Sequence, residues 1–534
     1  MDMATGWTGE TACALQAALR MGNETFARHL KVSPRTVAGW HEKPQGHPKP
    51  ESQRLLDTAL ELASPAVKDR FALLCGKPAH GAGVATGAET PADDQARTGA
   101  EHRLAADPNI GQALTRLDDL AGWQPGTARG EVASRLTQLD RRRLLDRADR
   151  RSRIGQPTIA DALAGYYHDM LHGYGRYGAR LPGGALTTSV LTHPDWLDLE
   201  CPLTAGNDRL TYTQAGTGRA TAELDTTAAQ AAAQRLAETL TAGTRLTESA
   251  LYRLTDIDIA RGKIGGTLGL SRFTSYALTL DLLEGELDDA LTAGIDPVPG
   301  SLPLRDRYLP DVASVLDVGG RLCAGGALAL CAFARPATFY RDRADYVLLV
   351  QERSGNVINA ARRLAVIPKG FHQPMTDYRS DAKIAATLLR EMEEELFGRQ
   401  EIDNTLGRQS AADPMHPSRL SDPMRWLLVE NPAALRVECT GFGLNLVSGN
   451  FEFACLVVVE SDDFWSSYGG QVEANWESSA LRQYSSLDSD SLAELVTEDT
   501  WSNEGLFALT QGLRRLKQTG EDRARVPDIE WTVS

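Results

Sequence analysis

Residues 380–398 read SDAKIAATLLREMEEELFG. Ile384, Leu388, Leu389, Met392 and Leu396 recur at helical spacing, so the stretch predicts an amphipathic helix, with Ser380 as its cap and Asp381 in its first turn. Glu391, Glu394 and Glu395 stand at i, i+3 and i+4 and share one face beside the apolar stripe, whereas Glu393 points the other way. Carboxylates crowded on one face repel one another unless cations intervene. Hard oxygen ligands suit Mg²⁺, which would also bind a diphosphate, so these three residues are the candidate metal ligands and, in an enzyme, the candidate catalytic ones. The alternative is the ordinary fate of a charge run, a solvated helix face.

Working outward, RLAVIPKGFHQP (363–374) precedes the helix, YVLLVQERS (346–354) lies before that and FEFACLVVVES (451–461) follows. These apolar runs, with LALCAF (328–333), have strand length and alternate with helix, which predicts α/β structure from about residue 306 onward. The segment Arg390-Glu391-Met392-Glu393-Glu394-Glu395 resembles the R-E-U-x-E-E core of the Nudix box, G-x5-E-x7-R-E-U-x-E-E-x-G-U, with Pro368 and Gly370 in the order of its entry loop. The resemblance implies an α/β/α sandwich over residues 306–534, with Gly370 and Arg390 at a ligand site. It departs from the box in three places. Gly370 and Arg390 are 20 positions apart where the family has 14, Ala382 stands where the first Glu belongs, and Phe397 takes the place of the closing Gly. Asp381 is the neighbouring carboxylate that could stand in for that Glu.

At the other end, residues 23–43 read NETFARHLKVSPRTVAGWHEK. A first helix runs from an Asn23 cap through Leu30, with Phe26, Ala27 and Leu30 on one face. Ser33 is a good N-cap, and Pro34 falls at the first helical position, where its missing N–H costs nothing. Val37, Ala38 and Trp40 then pack a second helix on the first. The pattern resembles the Cro/repressor-type helix-turn-helix of the xenobiotic-response-element family, with Lys31 in place of the turn glycine and His41 in place of the acidic residue after the Trp. The resemblance covers the flanking helices TACALQAALRM and ESQRLLDTALELA. It implies double-stranded DNA as a partner, with Ser33 at the tip of the recognition helix and Arg35, Thr36 and Gly39 facing outward. Arg35 would bridge guanine O6 and N7, and Thr36 would touch a thymine methyl. Arg28, Lys31, Lys43 and Lys49 would contact phosphates, which position rather than specify.

The chain has 534 residues, 56 Lys+Arg against 71 Asp+Glu and 42% hydrophobic residues, a globular balance that excludes a wholly disordered or fibrous protein. The net charge of −15 argues against blanket nucleic-acid coating but leaves room for one basic module. Cys13, Cys75, Cys201, Cys323, Cys331, Cys439 and Cys455 are scattered and form no C-x-x-C pair, so neither a disulfide framework nor a zinc site is expected. With no apolar run of about 18 residues and no basic start leading into an apolar stretch, the expectation is a cytoplasmic protein without a membrane span. The organisation expected is multidomain: an all-α head at 1–76, a flexible linker at 77–104 built mostly from GKPAHGAGVATGAETPADDQARTGAEH (76–102), a mixed α/β middle domain at 105–305 for dimerisation or sensing, and the sandwich at 306–534. In the middle region, 226–243 and 274–294 read as helices, and 185–222 as short strands and turns.

Four weaker signals have ordinary readings. LDRRRLLDRADRRSR (139–153) interleaves Arg with Asp140, Asp146 and Asp149 and reads as an ion-paired helix. VLDVGGRLCAGG (315–326) lacks the third glycine and following helix of a methyltransferase-type glycine loop, and RGKIGGTLGLS (261–271) lacks the phosphate-loop pattern. His168 and His172, in YYHDMLHGYGRYG (166–178), could share a helix face, but no third ligand is evident. The combined reading is a DNA-binding transcription regulator, a homodimer, whose Nudix-like part senses a nucleotide-derived small molecule, as in bacterial regulators that pair the two modules in a different order. Two other readings stay open: a Mg²⁺-dependent hydrolase of a nucleoside diphosphate derivative, and a helical interaction scaffold that binds no DNA.

Overall fold

The computed structural model describes residues 7–19, 21, 23–30, 32–44, 46–49, 52–53, 55–56, 59–60, 71, 91–107, 109–182, 184–214, 223–244, 246–354, 361–397, 415–472, 475 and 478–534. The chain forms two compact units, Met1–Ala88 and Glu89–Ser534. In the first, helices α1 (Gly9–Ala18), α2 (Asn23–Leu30) and α3 (Pro34–Glu42) bury Trp7, Ala12, Leu15, Phe26, Ala27, Leu30, Val37 and Trp40 together with Leu56 and Ala59. The α1 N-terminus is satisfied by the segment after α3: the Gly9 and Glu10 N–H groups donate to the Gly46 and Pro44 carbonyls, each at 2.7 Å.

The second unit begins with helices α4 (Pro91–Ala106), α5 (Ile110–Ala121), α6 (Thr127–Gln138), α7 (Arg141–Ser152) and α8 (Gln156–Tyr166). Of the linker expected at 77–104, residues 77–90 lie outside the described residues and 91–104 fall within α4, which turns Ala100 and Leu104 into a core. Strands β1 (Gly175–Leu181), β2 (Gly184–Thr192), β3 (Leu197–Pro202) and β4 (Asp208–Tyr212) follow, then α9 (Thr226–Ala242), β5 (Ala250–Ala260) and β6 (Lys263–Arg272). RGKIGGTLGLS is accordingly the β5–β6 hairpin turn and strand β6. The helix expected over 274–294 is broken into α10 (Phe273–Ala277) and α11 (Leu282–Thr292), and short helices α12 (Pro303–Tyr308) and α13 (Val312–Leu316) come next.

From residue 325 the order is β7 (Gly325–Arg335), β8 (Asp345–Arg353), β9 (Leu364–Val366), β10 (Lys369–Phe371), α14 (Ile384–Leu396), α15 (Asp422–Arg425), β11 (Leu435–Asn445), β12 (Phe451–Val459), α16 (Asp462–Tyr468), β13 (Ser478–Ser485), α17 (Ser489–Val496), α18 (Asn503–Thr519) and β14 (Glu530–Val533). A mixed sheet runs β13-β8-β7-β12-β11-β2-β1-β14, with β9, β10 and β3 paired to β8, β7 and β11. The β7–β12 pair is parallel, from Phe451 opposite Gly325 to Val459 opposite Phe333, and the other pairs are antiparallel. Its central strands are buried on both faces and read as nearly continuous apolar runs. Ala327, Ala329, Cys331 and Phe333 of β7 enter one core, and Leu328, Leu330, Ala332 and Ala334 enter another beneath α18. A second sheet has the order β4-β6-β5.

The boundary expected at 305/306 does not separate two bodies. Strands β1, β2 and β3, from before it, join the large sheet through Leu191 opposite Leu444 and Cys201 opposite Cys439. One core holds Leu199, Leu236 and Leu283 together with Phe442 and Phe453. Long-range pairing of this kind leaves no trace in local periodicity. Among the described residues, no helix is long and apolar enough to cross a membrane, and Cys13, Cys201, Cys323, Cys331, Cys439 and Cys455 are free thiols.

Candidate functional site

Helix α14 starts at Ile384, later than the cap expected at Ser380. Residues 375–383 form a turn instead, held by Asp381, whose Oδ2 accepts the N–H groups of Met375, Thr376 and Asp377 at 2.8, 3.0 and 3.0 Å. Asp381 therefore orders the entry loop. The helix N-terminus is capped from far away in sequence: Asp208 of β4 accepts the Ile384 N–H at 2.7 Å. Lys383 Nζ donates to the carbonyls of Asp208 and Leu210 at 3.0 and 2.8 Å. Asp208 is buried; desolvation raises its carboxyl pKa above the ordinary value, and the Ile384 and Leu210 N–H groups and the Lys383 charge oppose that rise. No local signal marks this contact, because β4 and α14 are far apart in the chain.

The carboxylates of α14 are not a solvated face. Glu391 and Glu394 are each 8% exposed, Glu393 and Glu395 are 1% exposed, and Arg390 is buried beside them. The Arg390 guanidinium pairs with Glu391 at 2.8 Å and donates to the Phe371 carbonyl at 3.3 Å. Glu391 lies against Gly370 so closely that a Cβ at 370 would overlap its carboxylate, which is why β10 needs glycine there. Glu395 accepts the Lys369 N–H at 2.8 Å. Glu393, on another face, accepts both the N–H and the hydroxyl of Ser421, at 2.7 and 2.5 Å, and so fixes the start of α15. Gly370, Arg390, Glu391 and Glu395 are thus brought together around β10.

The donor set has the hard-oxygen chemistry of a Mg²⁺ site. Within it, Glu391 pairs with Arg390 and Glu395 accepts a backbone N–H. On the far side of β10, Lys369 Nζ pairs with Glu504 of α18 at 2.6 Å, and Asn445 Nδ2 donates to the other Glu504 oxygen at 3.0 Å. Buried Glu452 of β12 completes this group, its carboxyl pushed well above the ordinary range by desolvation and then by the Glu504 charge. On α11, burial and then the charges of Asp288, Asp281 and Glu504 push Glu284 up to about 7.

At the C-terminal end of α14 stands an aromatic cluster that the sequence did not announce, because its members come from separate segments. Phe397 lies 6.3 Å from Phe464, and Trp426 lies 5.5 Å from Phe464 and 6.5 Å from Tyr468. Phe397, Trp426 and Tyr468 are only half-buried. Residues 426–430 are wound as a π-helix, a geometry frequent at functional sites. His372, next to Gly370, is buried and held neutral. Its ring contacts Thr387 Oγ1 at 2.7 Å and the Ala382 carbonyl at 3.2 Å, and burial pushes its pKa down to about 4.

In the first unit, Ser33 caps α3 by accepting the Thr36 N–H at 3.1 Å, Pro34 occupies the first turn, and Trp40 packs edge-on against Phe26 at 6.4 Å. Ser33, Arg35, Lys43 and Lys49 are exposed. Thr36 is half-buried and its hydroxyl lies 2.8 Å from Ser33 Oγ. Nothing stands within 4 Å of a Cβ built on Gly39, so that side of α3 is open. Lys31 and the Arg28 side chain lie outside the described residues.

The remaining sequence signals resolve into structure. Arg147 and Arg151 of α7 reach Asp289 of α11, with Nε distances of 3.0 and 2.7 Å, and Arg147 also pairs with Glu238, so their partners are on other helices rather than the interleaved Asp residues. His168 and His172 share no helix face, because α8 ends at Tyr166, where Tyr166 and Tyr167 are buried and bond to Asp306 and the Leu309 carbonyl. VLDVGGRLCAGG runs from the last residues of α13 through the connecting turn into the first two residues of β7. In comparisons with known proteins, no family model matches the chain and no curated sequence matches it.

Proposed function

We propose that the protein is a DNA-binding transcription regulator of the helix-turn-helix type, acting as a homodimer, whose Nudix-like body binds a nucleotide-derived effector. The observation that carries the reading is the burial of Glu391, Glu394 and Glu395, with Glu391 on Arg390 and Gly370 and Glu395 on Lys369, a built polar site where a bare charge run would lie in solvent. The order β10, α14, β11, β12 with the parallel β7–β12 pair, and α18 beneath the opposite face, supports the Nudix-like reading. The half-buried aromatics at the end of α14 supply the flat apolar wall that a nucleobase would use. Exposed Arg35 on the capped α3 supports major-groove reading by the head.

Effector binding regulates DNA only through a free-energy difference between DNA-competent and DNA-incompetent states. Binding without turnover is favoured because Glu391 is engaged by Arg390 and Glu395 by the Lys369 N–H. The test incubates the full chain with nucleoside diphosphate derivatives, with and without Mg²⁺, and reads Tm and product release together. A Tm rise without turnover is expected. Turnover that disappears in Glu394→Gln/Glu395→Gln would establish the second reading, a hydrolase, which draws on the same buried carboxylates. In parallel, Arg35→Ala should abolish sequence-specific DNA binding. Unchanged binding would refute a DNA-reading α3 and leave the head as an interaction module.

A further inference from the structure

Lys369 is tied at both ends. Its backbone N–H holds Glu395 of α14 at 2.8 Å, and its ammonium holds Glu504 of α18 at 2.6 Å. The Glu504 side chain is 7% exposed and that of Lys369 is 14% exposed. Glu452 stands opposite Gly326 of β7 in the sheet and, by the alternation of β12, on the face that carries Ala454, Leu456 and Val458 beneath α18. It is 5% exposed, and its carboxyl feels both Glu504 and Lys369. One ammonium thus serves two buried carboxylates, Glu504 by direct pairing and Glu452 through its charge, while the Asn445 amide of β11 donates to Glu504. A pair of buried carboxylates is what a divalent cation would otherwise neutralise, and without any cation it would be strongly destabilising.

We propose that the Lys369 ammonium is the resident cation of this buried group, a tethered substitute for a divalent ion that holds β10, β12 and α18 together without metal. The inference stands on the contacts of Lys369 and is independent of the DNA-binding reading, so loss of either leaves the other intact. A lysine at 369 brings one positive charge to the two carboxylates, whereas a divalent ion would bring two. Replacing the lysine should therefore open a cation site.

The experiment uses the full chain, with Mn²⁺ as the probe, read by the electron-spin signal of free Mn²⁺ and by Tm in chelator or millimolar Mg²⁺. Wild type should bind no Mn²⁺ tightly and melt at the same temperature in both solutions. Lys369→Met should lose about 4 °C in chelator, regain at least half of it in Mg²⁺, and bind one equivalent of Mn²⁺ that Glu504→Gln removes. If Lys369→Met does not fold, Lys369→Met/Glu504→Gln, which removes both charges, should recover a folded protein blind to Mn²⁺. Tight Mn²⁺ binding by wild type that depends on Glu452 or Glu504 would overturn the proposal. So would a Lys369→Met protein that is neither destabilised nor able to take up Mn²⁺, or a double variant that fails to recover.

Discussion

Asp208→Ala tests whether β4 holds helix α14. One carboxylate oxygen accepts the first N–H of α14, from Ile384 at 2.7 Å, and the other accepts the Leu210 N–H at 3.2 Å, all within the buried interior. Alanine leaves both N–H groups without an acceptor. An orphaned buried donor costs roughly 1–3 kcal/mol, and an N-cap alone contributes about 1 kcal/mol. Relief of carboxylate desolvation offsets part of the loss, so about 2–4 kcal/mol is expected. Asp208→Asn keeps the shape and one acceptor oxygen and should cost about 1–2 kcal/mol. Because burial raises the Asp208 carboxyl above its unfolded value, its contribution is full at low pH and declines as pH rises through the folded pKa. The gap between wild type and Asp208→Asn should accordingly narrow as pH rises. Urea unfolding of the full chain gives the global cost, and amide hydrogen exchange at Ile384 gives the local one, expected to quicken by about 30-fold for 2 kcal/mol. An Asp208→Ala protein within about 0.5 kcal/mol of wild type, a typical neutral surface change, with unaltered exchange at Ile384, would refute the argument.

Three further outcomes follow from buried contacts. His372 is neutral in the fold, with its pKa down at about 4 against 6.5 unfolded, so its stabilisation is complete above pH 6.5 and is lost as pH falls toward 4. The loss approaches about 3 kcal/mol, and His372→Gln should flatten that limb of the pH–stability curve; an unchanged limb would contradict the assignment. Gly370→Ala must displace the Glu391 carboxylate from its place beside Arg390 and should cost about 1–3 kcal/mol while abolishing any ligand-induced rise in Tm; a protein with the wild-type response would count against the site. Trp40→Ala removes the ring that closes the core of the first unit over Phe26 and should cost about 3–5 kcal/mol, enough to melt that unit while the far-ultraviolet signal of the second persists. A single unaltered transition would show that the first unit does not depend on this packing.

Local rules carried the reading wherever the deciding contacts were local. Ser33 and Pro34 start α3 because cap and first-turn chemistry are properties of adjacent residues. Helical spacing set Glu393 apart from Glu391 and Glu395, and Glu393 goes to Ser421. The same rules misplaced the start of α14, because Ser380 and Asp381 satisfy a cap pattern while a buried carboxylate on β4 offers a better acceptor. They also joined α10 to α11 and put His172 on a helix that stops at Tyr166, since nothing in composition marks where tertiary packing ends a helix. The 305/306 boundary failed for a related reason. A shift in composition is visible along the chain, but the pairing of β2 with β11 is a contact between residues about 250 apart, whose closure entropy rises only slowly with separation.

These contacts also bear on how an occupied site would be felt elsewhere in the second unit. Helix α14 is tied at its N-terminus to β4, through Ile384 and Lys383, and in its C-terminal half to β10 and α15, through Glu395 and Glu393. A helix held at both ends by different elements does not slide as a rigid rod without breaking one set of bonds. A ligand that competes for Glu391 or Glu395 acts directly on the C-terminal set, yet that set includes the charge-assisted Glu393–Ser421 pair and leads through Lys369 to Glu504 at the start of α18. The same turn of α18 carries Asn503, which bonds Gln156 of α8 at 2.8 Å and the Ser189 N–H of β2 at 2.8 Å. The N-terminal set rests on β4, an edge strand of the three-stranded sheet. An edge strand is bonded along one side only, so it yields at lower cost than α18, which lies over the central strands. Ligand-driven movement of α14 should thus appear first as loosening of the Asp208–Ile384 and Lys383–β4 bonds, which makes β4 the two-state element to watch by hydrogen exchange.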